Sequence, residues 1–250
     1  MYFVGIDLAW SDRNLTGICI GYEENNKLEI IDISIERSNQ DIINFIEKNV
    51  ENKSAIITID SPIIVPNYEN SRIAERELNK DFRKFNAGAH PANRKRLSSW
   101  TGAIRGEQLA KYFESKGYVQ KEIDKNNNEP LKRVYEVFPH PANVSLFQLD
   151  IIFQYKAKQK RDYNFRYKEF RKYLNSIISL EETKDKPRMK IPDTIKNEKI
   201  ENLIGKKLKK YEDKLDSILC SYIGYYYFKK PNNCKIYGNF KEGYILTPIK

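Results

Sequence analysis

The pattern of hydrophobic and polar positions over residues 1–60 predicts three strands, a helix and a fourth strand. The strands are predicted at residues 1–8, 17–22, 27–35 and 55–60, and the helix at residues 39–50, with Ser38 or Asn39 as its N-cap. Short polar turns join the first three strands, which is typical of an antiparallel meander. The fourth strand is apolar without alternation, and such a run indicates a strand covered on both faces in the middle of a sheet. The pattern therefore predicts an α/β fold.

The regular order of strands and helices breaks down after about residue 67. Residues 67–130 carry two helical patterns, at 71–83 and 103–115, on either side of a polar loop, and we interpret this stretch as a helical insertion after the fourth strand. The later elements are predicted as a strand at 132–138, a basic and aromatic segment at about 151–200 that includes a charged loop at 181–199, a long helix at 206–228, and a closing strand or edge cover at 243–248.

The composition fits one folded domain over residues 1–250. The chain is 40% hydrophobic and 31% charged, which supplies a core and a polar surface together. No apolar run approaches the roughly 18 residues of a membrane-spanning helix, and the N-terminus starts with a strand-like sequence instead of a secretory signal. Cys19, Cys220 and Cys234 are too few and too scattered for a disulfide framework. We therefore expect a cytoplasmic protein with reduced thiols and no membrane contact.

Positive charge is concentrated in the later part of the chain. The formal net charge is +10, but residues 1–80 hold 8 Lys+Arg and 14 Asp+Glu, whereas the remaining residues hold 36 and 20. Such a distribution fits a polyanionic partner such as nucleic acid. A lysine-rich composition that reflects an AT-rich genome accounts for the charge equally well.

Four aspartates fall where strand ends and a helix face would bring carboxylates together. Asp7 ends the first strand and Asp60 ends the fourth, and Asp213 and Asp216 lie one turn apart on the final helix. Neighbouring carboxylates repel one another unless cations lie between them, and Asp and Glu oxygens are the ligands that Mg²⁺ and Mn²⁺ prefer. Each aspartate also has an ordinary explanation, as a turn residue or as a partner of the helix dipole. Their joint placement is what favours a metal site.

Several short motifs occur in an order that resembles a known family. They are Gly5-Ile6-Asp7-Leu8-Ala9-Trp10, Ile59-Asp60-Ser61-Pro62, Arg72 with Arg76, Tyr135-Glu136-Val137-Phe138-Pro139 and Asp213-Lys214-Leu215-Asp216-Ser217. Their order and spacing resemble the DUF429 family of predicted RNase H-like nucleases, which is related to the RuvC-type resolvases. The resemblance implies a ribonuclease H-like fold, with a mixed five-stranded sheet of order 3-2-1-4-5 flanked by helices and the helical insertion after the fourth strand.

The same resemblance assigns roles to the acidic residues. The metal ligands that it implies are Asp7, Asp60, Asp213 and Asp216, with Glu136 as a fifth acid. The alternative for Glu136 is a strand-end glutamate in a salt bridge with Arg72 or Arg76. Ser217 stands where the resolvases usually have an Asp-Ala pair, a departure that leaves the carboxylates intact.

Basic side chains in and after the insertion are candidates for binding a phosphate backbone. They are Arg72, Arg76, Arg94, Arg96 and Arg105, together with Lys158 and Arg161 in the stretch 156–172, where aromatic residues are interleaved with basic ones. Nucleobases can stack on such aromatic rings. The alternative is an amphipathic helix whose aromatic residues are buried and whose lysines are solvated. His90 and His140 lie in proline turns, and neither is favoured as a general base or metal ligand.

Together these features favour a divalent-metal-dependent nuclease that hydrolyses phosphodiester bonds of DNA or RNA by a two-metal mechanism with Mg²⁺ or Mn²⁺. In that mechanism Asp7 would bridge the two ions, Asp60 and Asp213 or Asp216 would each hold one, and Glu136 would orient water. The main alternative is a non-catalytic nucleic-acid-binding or regulatory protein. An actin-like ATPase or kinase is disfavoured because the chain has no Gly-Gly pair for a phosphate loop. A homodimer would match the junction resolvases.

Overall fold

A computed structural model of the chain describes residues 1–11, 13–98, 102–123, 131–157 and 161–249. The strands in these ranges are β1 (Tyr2–Asp7), β2 (Thr16–Glu24), β3 (Lys27–Glu36), β4 (Ala55–Ile59), β5 (Lys132–Glu136), β6 (Arg188–Lys190), β7 (Cys234–Asn239) and β8 (Gly243–Pro248). The α-helices are α1 (Asn39–Val50), α2 (Ile73–Phe82), α3 (Arg94–Leu97), α4 (Arg105–Ser115), α5 (Pro139–Phe147), α6 (Tyr163–Ile178), α7 (Asp193–Lys196) and α8 (Gly205–Lys229). Short 3₁₀ turns lie at Arg83–Phe85, Ser179–Glu181, Ile200–Asn202 and Pro231–Asn233.

Helices pack around a mixed six-stranded sheet of order β5-β4-β1-β2-β3-β6. β1 pairs antiparallel with β2, and β2 pairs antiparallel with β3. β4 runs parallel to β1, β5 parallel to β4, and β6 parallel to β3. All five residues of β4 are buried, as its unbroken apolar sequence predicted. The predicted α/β class, with a mixed sheet flanked by helices, is therefore confirmed.

The predicted strand order, 3-2-1-4-5 in a sheet of five, differs from the observed one because it omits β6. β6 lies at the sheet edge beside β3, with Met189 buried between the exposed Arg188 and Lys190. A single buried residue flanked by basic ones produces no periodic signal, and the segment was therefore predicted to be a charged loop. β8 lies in the predicted closing segment, but it pairs with β7 in a separate hairpin that the sequence analysis did not predict.

The predicted helices agree with the observed ones within a few residues. α1 begins after Ser38, whose side chain accepts a hydrogen bond from the Asp41 N–H while the Asp41 carboxylate accepts one from the Ser38 N–H. α2, α3 and α4 lie between β4 and β5, in the stretch that the sequence analysis interprets as a helical insertion. α8 is the longest helix described, with 25 residues. No helix in the described ranges is both long enough and apolar enough to cross a bilayer.

Glycines in β1 and β2 allow α8 to lie directly on the sheet. A Cβ atom at Gly5 would stand 2.0 Å from the Ser217 carbonyl oxygen, and a Cβ atom at Gly17 would stand 2.0 Å from the Asp213 carbonyl oxygen. Real Cβ atoms do not approach backbone this closely, so neither position has room for a side chain. The two glycines therefore set the distance between the helix and the sheet.

Two hydroxyl groups fix the position of α8 along the strands. The Thr58 hydroxyl donates to the Cys220 carbonyl oxygen at 2.7 Å, and the Ser221 hydroxyl donates to the Phe3 carbonyl oxygen at 2.9 Å. Both bonds are buried, where a lost partner costs most. They place the first turns of α8 over the carboxyl ends of β1 and β4.

Replacing Gly5 by Ala should destabilise the protein by about 3 kcal/mol or more, because the added methyl group overlaps helix backbone that cannot rotate away. Gly224→Ala is the matched control, since its Cβ would meet only side-chain atoms: the methyl groups of Thr58 and Ile56, at 3.0 and 3.2 Å, and the Thr58 hydroxyl oxygen, at 3.8 Å. Its loss should be smaller, because alanine favours a helix by about 1 kcal/mol over glycine. Urea unfolding followed by circular dichroism compares the two variants. Wild-type stability of Gly5→Ala would contradict the close packing.

Candidate functional site

Two of the four predicted aspartates lie at neighbouring strand ends. Asp7 is the last residue of β1 and Asp60 directly follows β4, and these two strands pair in parallel. The Asp60 N–H donates to the Ile6 carbonyl oxygen at 2.8 Å, which extends the pairing to Asp60. Parallel strands end at the same edge of a sheet, where ligands commonly bind. Both side chains are half-buried at this edge.

α8 brings the other two aspartates to the same edge. Gly17, on which the Asp213 backbone lies, is the register partner of Asp7 in the neighbouring strand. Asp213 is 2% exposed and Asp216, one turn further along α8, is fully buried. The carboxyl groups of Asp213 and Asp7 interact, and the charge of Asp216 acts on both strand-end aspartates. The four aspartates predicted as a cluster therefore lie together.

Burial and mutual repulsion raise the pKa of both strand-end aspartates. Burial is the largest cause in each case, and the Asp216 carboxylate adds to it. The pKa of Asp7 lies well above its ordinary value, and the pKa of Asp60 rises to about 7. A protonated Asp7 carboxyl group can donate to Asp213, whose Oδ2 atom is buried and otherwise lacks a hydrogen-bond partner.

Asp216 is neutralised by a lysine that was not predicted as a site residue. Lys156 Nζ lies 3.0 Å from Asp216 Oδ2. Asp216 Oδ1 accepts hydrogen bonds from the hydroxyl groups of Tyr155 at 2.6 Å and Tyr173 at 3.1 Å. Burial by itself raises the pKa of Asp216, but Lys156 and the Tyr155 hydroxyl outweigh it and hold this pKa below its ordinary value. Asp216 therefore stays a carboxylate.

Asp213 has a lysine of its own. Lys209 Nζ lies 2.6 Å from Asp213 Oδ1 and 2.7 Å from Glu212 Oε1. Glu212 is only 3% exposed and adds a carboxylate that the sequence analysis missed. The helical spacing of these three residues is a signal that could have revealed both pairs. No comparable spacing links Lys156 to Asp216, because they are far apart in the chain.

Two arginines hold the segment that carries Lys156. Arg161 donates to the carbonyl oxygens of Gln154 and Lys156, both at 3.2 Å, and Arg166 donates to the Tyr155 carbonyl oxygen at 2.8 Å. Three successive carbonyl groups are thus bound, which fixes the backbone that presents Tyr155 and Lys156 to α8. Arg161 was predicted to bind nucleic acid, and in the structure its described contacts serve this segment.

Glu136 ends β5, but its carboxylate is bound by an arginine. Arg72 donates to both Glu136 oxygens, at 2.9 Å to Oε2, and the Ile63 N–H donates to the same Oε2 at 3.0 Å. Arg72 also binds Glu75, and all three charged side chains are nearly fully buried. Burial raises the pKa of Glu136 to about 7, although Arg72 opposes it. The salt-bridge alternative for Glu136 is the observed arrangement, and we therefore leave Glu136 out of the set of acids that face a metal ion.

The carboxylates have the right chemistry for a divalent cation, although ammonium groups neutralise them in this arrangement. Carboxylate oxygens are hard donors that suit Mg²⁺ or Mn²⁺, and the buried Asp213 Oδ2 is an oxygen that a cation would satisfy. Within the described ranges, no three His, Cys, Asp or Glu side chains are placed to hold a metal ion together. The donor chemistry therefore suits such an ion, whereas in this structure Lys156 and Lys209 occupy the acids of α8.

Two of the predicted nucleic-acid contacts are buried and bound to protein groups. Arg105 is 7% exposed, and it donates to the Asn39 side chain at 2.7 Å and to the Ala9 carbonyl oxygen at 2.8 Å. Arg72 is occupied by its two glutamates. In this structure both guanidinium groups are therefore bound to protein groups, and a contact with a nucleic-acid phosphate stays a prediction for these two arginines. The charge of these two arginines in the sequence did not indicate that the fold would bury them.

The other predicted contacts lie closer to solvent. Arg94 is half-buried and forms a salt bridge with Glu107 at 2.9 Å, whereas Arg76 and Arg96 are exposed. Lys158 lies outside the described residues. Binding of nucleic acid by these side chains stays a prediction.

Aromatic residues of the basic stretch divide between the core and the surface. Tyr155 and Phe170 are fully buried, and Tyr167 is half-buried. Tyr163 and Phe165, in the first turn of α6, are 43% and 39% exposed. The alternative of an amphipathic helix with buried aromatics is therefore confirmed for the inner face of α6.

Replacing Asp60 by Asn should flatten the dependence of stability on pH. Folding raises the pKa of Asp60 to about 7, so the folded state binds the proton more tightly than the unfolded state. The wild type should therefore lose stability as pH rises from about 4 to about 7. In EDTA, urea unfolding should show Asp60→Asn gaining about 1–3 kcal/mol over the wild type across this range. The control is Asp150→Asn, because Asp150 is exposed. If the stability of Asp60→Asn changes with pH in the same way as that of the wild type, the raised pKa of Asp60 is contradicted.

The sequence was also compared with known proteins. It matches a family model described as "Protein of unknown function (DUF429)" over residues 5–242. Neither the comparison with curated proteins nor the comparison with solved structures gave a match. Because the family match covers nearly the whole chain, this protein belongs to the DUF429 family.

Proposed function

We propose that the protein is a divalent-metal-dependent nuclease that hydrolyses phosphodiester bonds of DNA or RNA. The observation that carries the proposal is the convergence of Asp7, Asp60, Asp213 and Asp216 at one edge of the sheet. Mg²⁺ or Mn²⁺ ions held there supply an activated water and stabilise the leaving oxygen.

The four aspartates would have different roles in binding metal and substrate, because their surroundings differ. The charges of Asp60, Asp213 and Asp216 all act on Asp7, so Asp7 would hold a metal ion together with these three residues. Asp60 is half-buried and lines an open cleft, so it is the aspartate most accessible to a substrate. The two aspartates of α8 supply buried oxygens from the opposite side.

The sheet supports the proposal as well. The antiparallel meander β1-β2-β3 beside the parallel strands β4 and β5 is compatible with a ribonuclease H-like core, to which β6 is an added edge strand. A ribonuclease H-like fold is therefore part of the proposal.

The side chains of Lys156 and Lys209 are partly exposed, so each can turn away from its aspartate toward solvent. The Lys156 side chain is 31% exposed and the Lys209 side chain is 59% exposed, whereas their aspartate partners are buried. An entering divalent ion would replace the ammonium groups as counter-charge, and the lysines would turn toward solvent. A cationic side chain left at the rim of such a site would attract a phosphate.

A second candidate is a non-catalytic nucleic-acid-binding or regulatory protein. The ion pairs Lys156–Asp216 and Lys209–Asp213 favour it, because they neutralise the acids of α8 without a metal ion. In that case the acidic cluster would be a structural feature, and the net positive charge of the chain would serve binding alone.

Asp7→Asn should lower Mn²⁺-dependent cleavage of labelled nucleic acid by more than about 100-fold, since even a change outside the ligand shell of a metal site costs 10–100-fold. Its melting temperature in EDTA should stay the same or rise, because a repelling carboxylate is removed. The measurement uses single-stranded, duplex, hybrid and four-way substrates, with and without Mn²⁺.

The exposed-site variant Asp150→Asn controls for loss of charge alone and should cleave like the wild type. Comparable cleavage by Asp7→Asn would refute the assignment of Asp7. A wild type that cleaves none of the substrates but binds them tightly would favour the second candidate.

A further inference from the structure

A cleft lies beside the acidic cluster, and the roles proposed so far do not use it. It encloses about 470 Å³ of empty space, part of it open to solvent, and Asp60 is among the residues that line it. Ring side chains supply much of its wall, namely Trp10, Pro62, His90 and Phe138. The part of this space that an occupant can fill is about 90 Å³, which is below the range of a site for a drug-sized molecule.

Three charged groups in the cleft are paired with one another. Arg72 lines it together with Glu75 and Glu136, and these three bind one another. Among the described residues that line the cleft, the one arginine is therefore occupied, and the Asp60 carboxyl group disfavours an anion, so a group that enters the cleft should be uncharged. Aromatic and apolar walls of this kind favour stacking of a planar ring.

Trp10 is an exposed ring at this cleft. It lies in the loop after β1, close in sequence to Asp7, and is 45% exposed. The guanidinium group of Arg96, which is itself exposed, lies over the indole ring at 5.5 Å from its centroid. An aromatic ring next to a mobile cation is a common way to hold a base and its phosphate together.

We propose that this cleft binds one unpaired nucleobase of a single-stranded nucleic acid, with the base against Trp10 and its phosphate toward Arg96 and the acidic edge. A base inside a duplex has both faces covered by its neighbours and cannot enter a walled cleft without leaving the stack. The inference rests on the proposed function for its choice of ligand, and it adds a preference for unpaired strands.

Fluorescence of Trp10 tests the site directly. The chain has two tryptophans, Trp10 and Trp100, so a Trp100→Phe variant emits from Trp10 alone. Titration with a short oligodeoxythymidylate in EDTA should change this emission. A strand of the same length with abasic sugars carries the same phosphates without bases, and it should bind at least about tenfold more weakly.

Trp10→Ala should weaken binding of the labelled oligodeoxythymidylate about tenfold, measured by fluorescence anisotropy. Tyr22→Ala is the matched control: Tyr22 is 37% exposed and contacts the Tyr2 ring at the other end of β1, and its loss should leave binding unchanged. Equal binding of the abasic and base-bearing strands would overturn the proposal, as would wild-type binding by Trp10→Ala or no binding of any strand.

EDTA separates this test from the test of cleavage. A Trp10 response to the base-bearing strand without cleavage in Mn²⁺ would support the base site and contradict the nuclease. Cleavage in Mn²⁺ of duplex and single strands at equal rates, without any Trp10 response, would support the nuclease and overturn the base site.

Discussion

Carboxylates buried next to one another are stable only when protons or cations compensate their charge, and this constraint shapes the sheet edge where β1, β4 and α8 meet. Lys156 and Lys209 compensate the two aspartates of α8. At the strand ends, burial and repulsion raise the pKa of Asp7 and Asp60 instead. Well-packed apolar side chains would often stabilise such positions better, which is why we propose a binding role for this assembly.

The fold produces this assembly through one close contact. Gly5 and Gly17 bring the backbone of α8 onto the sheet, and that contact carries the helix aspartates to the strand ends. The sequence predicted the participating elements well, because strong apolar periodicity marks β4 and α8. It did not predict β6, because the single buried residue of this strand, Met189, leaves no periodic pattern. It also did not predict how closely α8 packs on the sheet, because a glycine in a strand does not indicate which element packs against it.

The acidic residues of the site were predictable and their partners mostly were not. Asp7 and Asp60 follow apolar runs, which is a local signal, whereas the pairing of Lys156 with Asp216 depends on the path of the chain after α5. Arg72 was assigned to phosphate because its charge is visible in the sequence and its burial between two glutamates is not. Local patterns thus identify candidate ligands, but the charges that compensate them come from tertiary packing.

The central claim is that the acidic edge is a cation site whose counter-charge Lys156 now supplies. The most direct measurement is the position of manganese in crystals grown with the ion, located by its anomalous scattering. We predict a peak in contact with carboxylate oxygens of Asp7 and Asp213, with Lys156 Nζ displaced from Asp216. A map without a peak at this edge under saturating manganese, with the lysine still paired to Asp216, would contradict the claim.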